Sequence, residues 1–148
     1  MLKRTLLVLA CACVAGLASA QTSPVGAWQT VDDATREIKS LVVITESNGV
    51  LSGRIDKLLR KEADQNAVCD KCTDDRKGKK VLGLEIIRGA KKSEGKDVWE
   101  GGNVLDPENG SVYSAKLTPI DGGKKLEMRG FLGVPMLGRT QTWIRVPH

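Results

Sequence analysis

The residues best suited to chemistry are Cys69 and Cys72, a C-x-x-C set in a polar, turn-rich stretch. Three chemistries use that spacing: a disulfide, a thiol–disulfide exchange centre, and half of a zinc site. Exchange calls for a thiolate-stabilising helix N-terminus inside a βαβ unit, and neither is visible in this sequence. Zinc calls for four ligands, but there is no second C-x-x-C and the only histidine is the terminal His148. A structural disulfide that tethers its loop is the favoured reading, with redox and metal roles kept as alternatives. A loop this short contributes only ~2 kcal/mol in the chain-entropy account. The nearby acids Glu62, Asp64, Asp70, Asp74 and Asp75 lack the spacing of an EF-hand loop. Interleaved with Lys71, Arg76 and Lys77, they read as a solvated face. No Ser/His/Asp or Cys/His triad can be assembled, and nothing singles out a carboxylate pair. The expectation is a protein without catalytic residues, metal or cofactor.

A second constellation lies near the C-terminus. Arg139, Gln141, Trp143 and Arg145 fall on one face of a strand by alternation. Two arginines, an amide and an indole are unusual for a plain core. Either Arg145 packs on Trp28 or Trp143 as an end-plug, or the face is an anion-binding wall for a carboxylate or phosphate. The plug is preferred, and Arg139 is the first candidate for a ligand-facing polar group. Just upstream, Leu132, Val134, Met136 and Leu137 are apolar for a loop, which suits a cover over an opening or a patch that docks a partner. Arg139, Trp143, Leu132 and Met136 are therefore the candidate ligand or partner contacts.

The first twenty residues set the compartment. Lys3 and Arg4 give a positive start, Thr5 to Leu17 are apolar or small, and Ala18-Ser19-Ala20 forms a cleavage box. This reads as an export signal cut near Ala20-Gln21, which places the mature protein in the periplasm or outside the cell. The apolar core is too short to span a bilayer, so no transmembrane segment is expected. Cys11 and Cys13 leave with the signal. Removing Lys3 and Arg4 lowers the formal charge from +5 to +3. That balance, spread along the chain, is no nucleic-acid footprint. The remaining 21–148 form one domain by size.

The elements that must position these residues are strands. Val25 to Val31, Lys39 to Glu46, Val50 to Leu59, Val81 to Arg88, Val98 to Leu105, Val112 to Thr118, Lys125 to Leu132 and Arg139 to Val146 are apolar, β-branched or alternating. Helical periodicity is nearly absent. Asn48-Gly49 is a strong hairpin signal, and Asp106-Pro107-Glu108-Asn109-Gly110 is a turn with its chemistry in place. Lys91 to Lys96 reads as a polar turn, and Ala63 to Lys80 as a long polar loop. Eight strands in meander order point to an all-β, up-and-down antiparallel barrel, which closes its own edges. A two-sheet sandwich is the alternative.

Gly26-Ala27-Trp28 on the first strand and Arg145 on the last resemble the lipocalins and related calycins. In those proteins a G-x-W places a Trp across the barrel floor, under a basic residue of the final strand. Over nearly its full length the chain also resembles an uncharacterised family of small exported bacterial proteins, a domain of unknown function regarded as lipocalin-like. The matching blocks are Gly26-x-Trp28, Gly49-x-x-x-Gly53 with Ile55, Cys69-x-x-Cys72, Trp99-x-Gly101-Gly102, Asp106-Pro107-x-Asn109-Gly110-x-x-Tyr113, Gly130-Phe131-Leu132-Gly133-x-Pro135-x-x-Gly138-Arg139 and Trp143-x-Arg145. The resemblance implies the fold and export; it implies no substrate.

An eight-stranded barrel holds either packed side chains or one small ligand. The first expectation is an envelope protein binding a small apolar or amphipathic molecule. Its interior would be drawn from Leu41, Val43, Ile55, Leu84, Ile86, Leu117, Leu126 and Met128. The alternatives are a filled barrel that acts through its surface loops on a protein partner, and a redox or metal role of the C-x-x-C.

Overall fold

The computed structural model describes residues 22–147, so the expected export signal, its expected cleavage point and His148 lie outside them. The strands are β1 (Gly26–Val31), β2 (Ile38–Ser47), β3 (Val50–Leu58), β4 (Glu85–Lys92), β5 (Trp99–Leu105), β6 (Val112–Ile120), β7 (Lys125–Phe131) and β8 (Arg139–Val146). Each pairs antiparallel with the next, and β8 returns to β1 to close an up-and-down barrel. Helix among the described residues is confined to the 3₁₀ turns Asp121–Gly123 and Pro135–Leu137.

Turn chemistry accounts for the order. Asn48 and Gly49 both take positive φ, 51° and 79°, which matches the right-handed twist of the β2–β3 hairpin. The β2–β3, β4–β5 and β6–β7 turns share one end of the barrel with residues 22–25; this end is the floor. The four remaining connections, at 32–37, 59–84, 106–111 and 132–138, surround the other end, the mouth.

The fourth strand runs four residues later than the sequence suggests. Gly83 takes φ 86°, and Leu84 N–H turns back to Val81 O at 3.1 Å, so Val81 to Leu84 is the turning return of the long loop. Lys91 and Lys92, expected in a turn, instead lie on the ladder opposite Glu100 and Trp99. Their charges stay exposed, and the Lys92 ammonium stands 5.5 Å from the centre of the Trp99 ring.

Inward-facing residues fill the floor half of the barrel. Trp28, Ile44, Leu51, Leu117 and Leu126 are all 0–1% exposed, and each aliphatic member contributes roughly 1.5–3 kcal/mol of burial. On β2 the interior positions are Val42 and Ile44, so alternation leaves Leu41 and Val43 outside the central cluster, Leu41 nonetheless buried and Val43 half-buried. Ile55, Leu84, Ile86, Leu117, Leu126 and Met128 do belong to it.

Candidate functional site

The mouth half of the barrel is hollow. A cavity of about 750 Å³ opens there, with Ile55, Ile86, Val104, Met128 and Trp143 as its apolar wall. Short side chains leave this space. Thr30 and Ser40 face each other in register on β1 and β2, and their hydroxyls bond at 2.7 Å. One strand beyond β8, β7 presents Gly130 to the same cavity. Tyr113 and Gln141 also present polar groups to the wall below the rim, and Gln141 Oε1 accepts the Trp143 indole N–H at 3.2 Å.

An ionic rim surrounds the opening. The Arg60 guanidinium bonds Glu108 at 2.5 Å and Asp32 at 2.6 Å, and Lys39 bonds Glu108 at 2.8 Å. Backbone N–H of Thr35, with those of Ala34 and the Arg60 side chain, holds Asp32 down to about 2. Burial pushes Glu108 up, but Lys39 and Arg60 outweigh it and keep the carboxyl below its ordinary range. Arg139 lines the cavity and pairs with Asp33, while Gln141 Nε2 donates to the same carboxylate at 3.4 Å. Both signs alternate around the mouth. With the Arg139 charge met by Asp33, β8 does not present a bare anion-binding wall.

The floor is sealed separately. The Arg145 guanidinium lies 4.2 Å from the centre of the Trp28 ring. It donates to Gly123 O at 2.6 Å, Val25 O at 2.7 Å and Ser23 O at 2.5 Å. Burial lowers its pKa. The Trp28 indole N–H donates to Pro24 O at 2.7 Å. Gly26 explains the glycine of G-x-W: its φ is 135°, and a Cβ there would stand 2.5 Å from Arg145 Nη1.

The long loop 59–84 covers part of the mouth, and its Ala63, Ala67, Val68 and Val81 join the cavity wall. Cys69 and Cys72 form a disulfide with Cα atoms 5.4 Å apart, at 0% and 1% exposure. Cys69 N–H donates to Lys79 O and Gly78 N–H to Cys69 O, both at 2.8 Å, so the two arms of the loop clasp each other. Arg76, read from sequence as solvated, is only 2% exposed. Asp74, two residues upstream, takes its Nη2 at 2.6 Å, and the Glu85 carbonyl takes Nη1 at 2.9 Å. Arg76 thus ties the loop to β4, a role that no local pattern signalled.

Arg76, by side chain and backbone N–H, holds Asp74 down from the usual 3.8 to about 2. A depressed carboxylate stabilises fully above its unfolded pKa and loses that contribution as pH falls through the folded one. The loop is therefore expected to loosen between pH 3.8 and about 2. NMR spectra titrated through that window should show Arg76 and Glu85 resonances shifting before those of Trp28.

Arg139 and Trp143 share the cavity wall, Trp28 and Arg145 the floor, and the cysteines the covering loop. Leu132 and Met136 lie outside the cavity, exposed on the β7–β8 loop. Sequence reasoning missed the small-residue level Thr30–Ser40–Gly130 that makes the hollow. Its signal was two short hydroxyl residues in inward register where the floor level carries Trp28 and Ile44.

A closed eight-stranded meander with a Trp-and-Arg floor and a hollow mouth is a lipocalin-like barrel. Residues 26–145 match the family described as uncharacterized protein conserved in bacteria (DUF2147), and the chain belongs to that family. Its fold is similar to that of protein HP1028 from Helicobacter pylori, described as belonging to the lipocalin family. The TM-score is 0.72 at 18% identity, over 86% of this chain and 85% of that one. A search of curated proteins gave no match.

Proposed function

We propose that this chain is an exported binding protein, not an enzyme, that holds one small apolar or amphipathic molecule in the mouth of its barrel. The observation that carries the reading is the cavity of about 750 Å³, within the roughly 300–1,000 Å³ usual for small-molecule sites. Its chemistry fits an amphiphile. The apolar body would lie against Ile55, Met128 and Trp143, and a polar end would meet Gln141, Tyr113 or the rim. The unfilled interior favours a carrier over a filled scaffold. The buried disulfide supports a structural role for the cysteines over exchange, which requires access to sulfur. It also fits the oxidising compartment implied by the leader.

Gly130 provides the test. A Cβ there would stand 3.4 Å from Tyr113 Cβ, an ordinary contact, so a longer side chain grows into the cavity. Titration with the uncharged fluorophore N-phenyl-1-naphthylamine is expected to saturate one site per chain. Gly130→Leu should weaken binding about tenfold or more by occupying the ligand's volume. Equal binding by a folded Gly130→Leu variant would place the probe elsewhere and remove the cavity from the account.

A further inference from the structure

The loop at 132–138 stands at the mouth yet takes no part in the cavity wall. Leu132, Val134, Met136 and Leu137 are 63%, 53%, 89% and 78% exposed, while no other large apolar side chain among the described residues exceeds 45%. Gly133 and Pro135 between them carry no polar group, so the tip is apolar throughout. It is also held in shape. Arg129 Nε donates to Pro135 O and Nη1 to Thr140 Oγ1, both at 2.8 Å, and Leu137 N–H returns to Val134 O at 3.1 Å. A preorganised tip loses little entropy on docking.

Charge indicates what the tip fits. Arg129 lies directly beneath it, with Lys116 as its register partner on β6. Neither is in an ion pair with a carboxylate among the described residues. From Met128 to Pro147 the chain contains no Asp or Glu. A second copy docked tip to tip would bring these cations against their own mates. Seven residues also offer far less than the about 800 Å² that each partner of a stable protein interface contributes. An anionic lipid surface meets both features: the acyl–headgroup boundary takes the apolar side chains, and the headgroup phosphates face Lys116 and Arg129. We propose that residues 132–138 are a docking tip that seats the mouth of the barrel on an anionic bilayer surface. This inference stands on the tip and its cations, independently of whether the cavity holds a ligand.

The test is flotation of the purified protein with vesicles of phosphatidylcholine mixed with phosphatidylglycerol, and with pure phosphatidylcholine. The protein is expected to float with the mixed vesicles and less with the neutral ones. Leu132→Ser combined with Met136→Ser should reduce flotation about tenfold or more, and Lys116→Gln about five-fold. All three side chains lie away from the core, and circular dichroism checks that the variants fold. No flotation with the mixed vesicles, or flotation unchanged by the double variant, overturns the proposal. Concentration-dependent dimerisation lost in the double variant, without flotation, also overturns it and assigns the tip to a second copy.

Discussion

Trp28→Ala is expected to remove a large part of the barrel's stability. The side chain is fully buried, and truncating a buried Trp costs about 3–5 kcal/mol, against a usual total of about 5–15 kcal/mol. For a domain of this size that is a fall in Tm of roughly 10–20 °C. The loss exceeds that of an ordinary core residue because Trp28 also supports Arg145, whose fork joins β8 to the β6–β7 turn and the N-terminal segment. Arg145→Lys discriminates between charge and shape. Lysine keeps the cation but cannot reach three carbonyls at once, so it is expected to melt closer to Arg145→Ala than to the wild type. A Lys variant as stable as the wild type would show that charge alone holds the floor. Thermal melts of the three variants decide this.

Gly110→Ala is the second large effect, and it falls on the covering loop. Gly110 takes φ 75°, and a Cβ there would collide with the backbone carbonyl of Lys71, next to Cys72. The loop must lift off the β5–β6 turn, giving up the contact of Cys69 with the Pro107 carbonyl. Amide protection across residues 67–81 is expected to fall about a hundredfold while the barrel strands keep theirs. Gly49→Ala is the matched control. Its φ is 79° but nothing lies within 4 Å of a Cβ, so it bears only the backbone term of about 1 kcal/mol. Similar behaviour of the two variants would mean that the loop is not docked through Gly110.

How much of this was legible follows from what each residue depends on. The hairpin at Asn48-Gly49, the turn ending at Gly110 and the alternation of β6 and β8 are local, and they carried the eight-stranded meander; its closure as a barrel, against a sandwich, rested on the resemblance carried by Gly26-x-Trp28 and Arg145. The disulfide followed from spacing and the expected export. Strand β4 slipped because Val81-Leu82-Gly83-Leu84 has the composition of a strand, and only the positive φ of Gly83 and the turn bond from Leu84 N–H to Val81 O assign it to the loop. Lys91-Lys92 reads as a turn because polarity on an outward strand face looks the same as polarity in a loop. Arg76 and Arg139 depended on partners that local pattern does not identify. The burial of Arg76 requires the loop to fold back on β4, and Asp33, which neutralises Arg139, lies 106 residues away. The C-terminal alternation was enough to put Arg139 and Trp143 on one face, but not to show that the face borders empty space.

The central claim is that this empty space is a ligand site. Native mass spectrometry of the protein and of Gly130→Leu, each incubated with a bacterial lipid extract and freed of excess, tests it most directly. A one-to-one adduct is expected on the wild type, with a mass on the order of a few hundred daltons. The adduct should be released by denaturation and absent from Gly130→Leu. Bare masses for both proteins, or the same adduct on both, would contradict it.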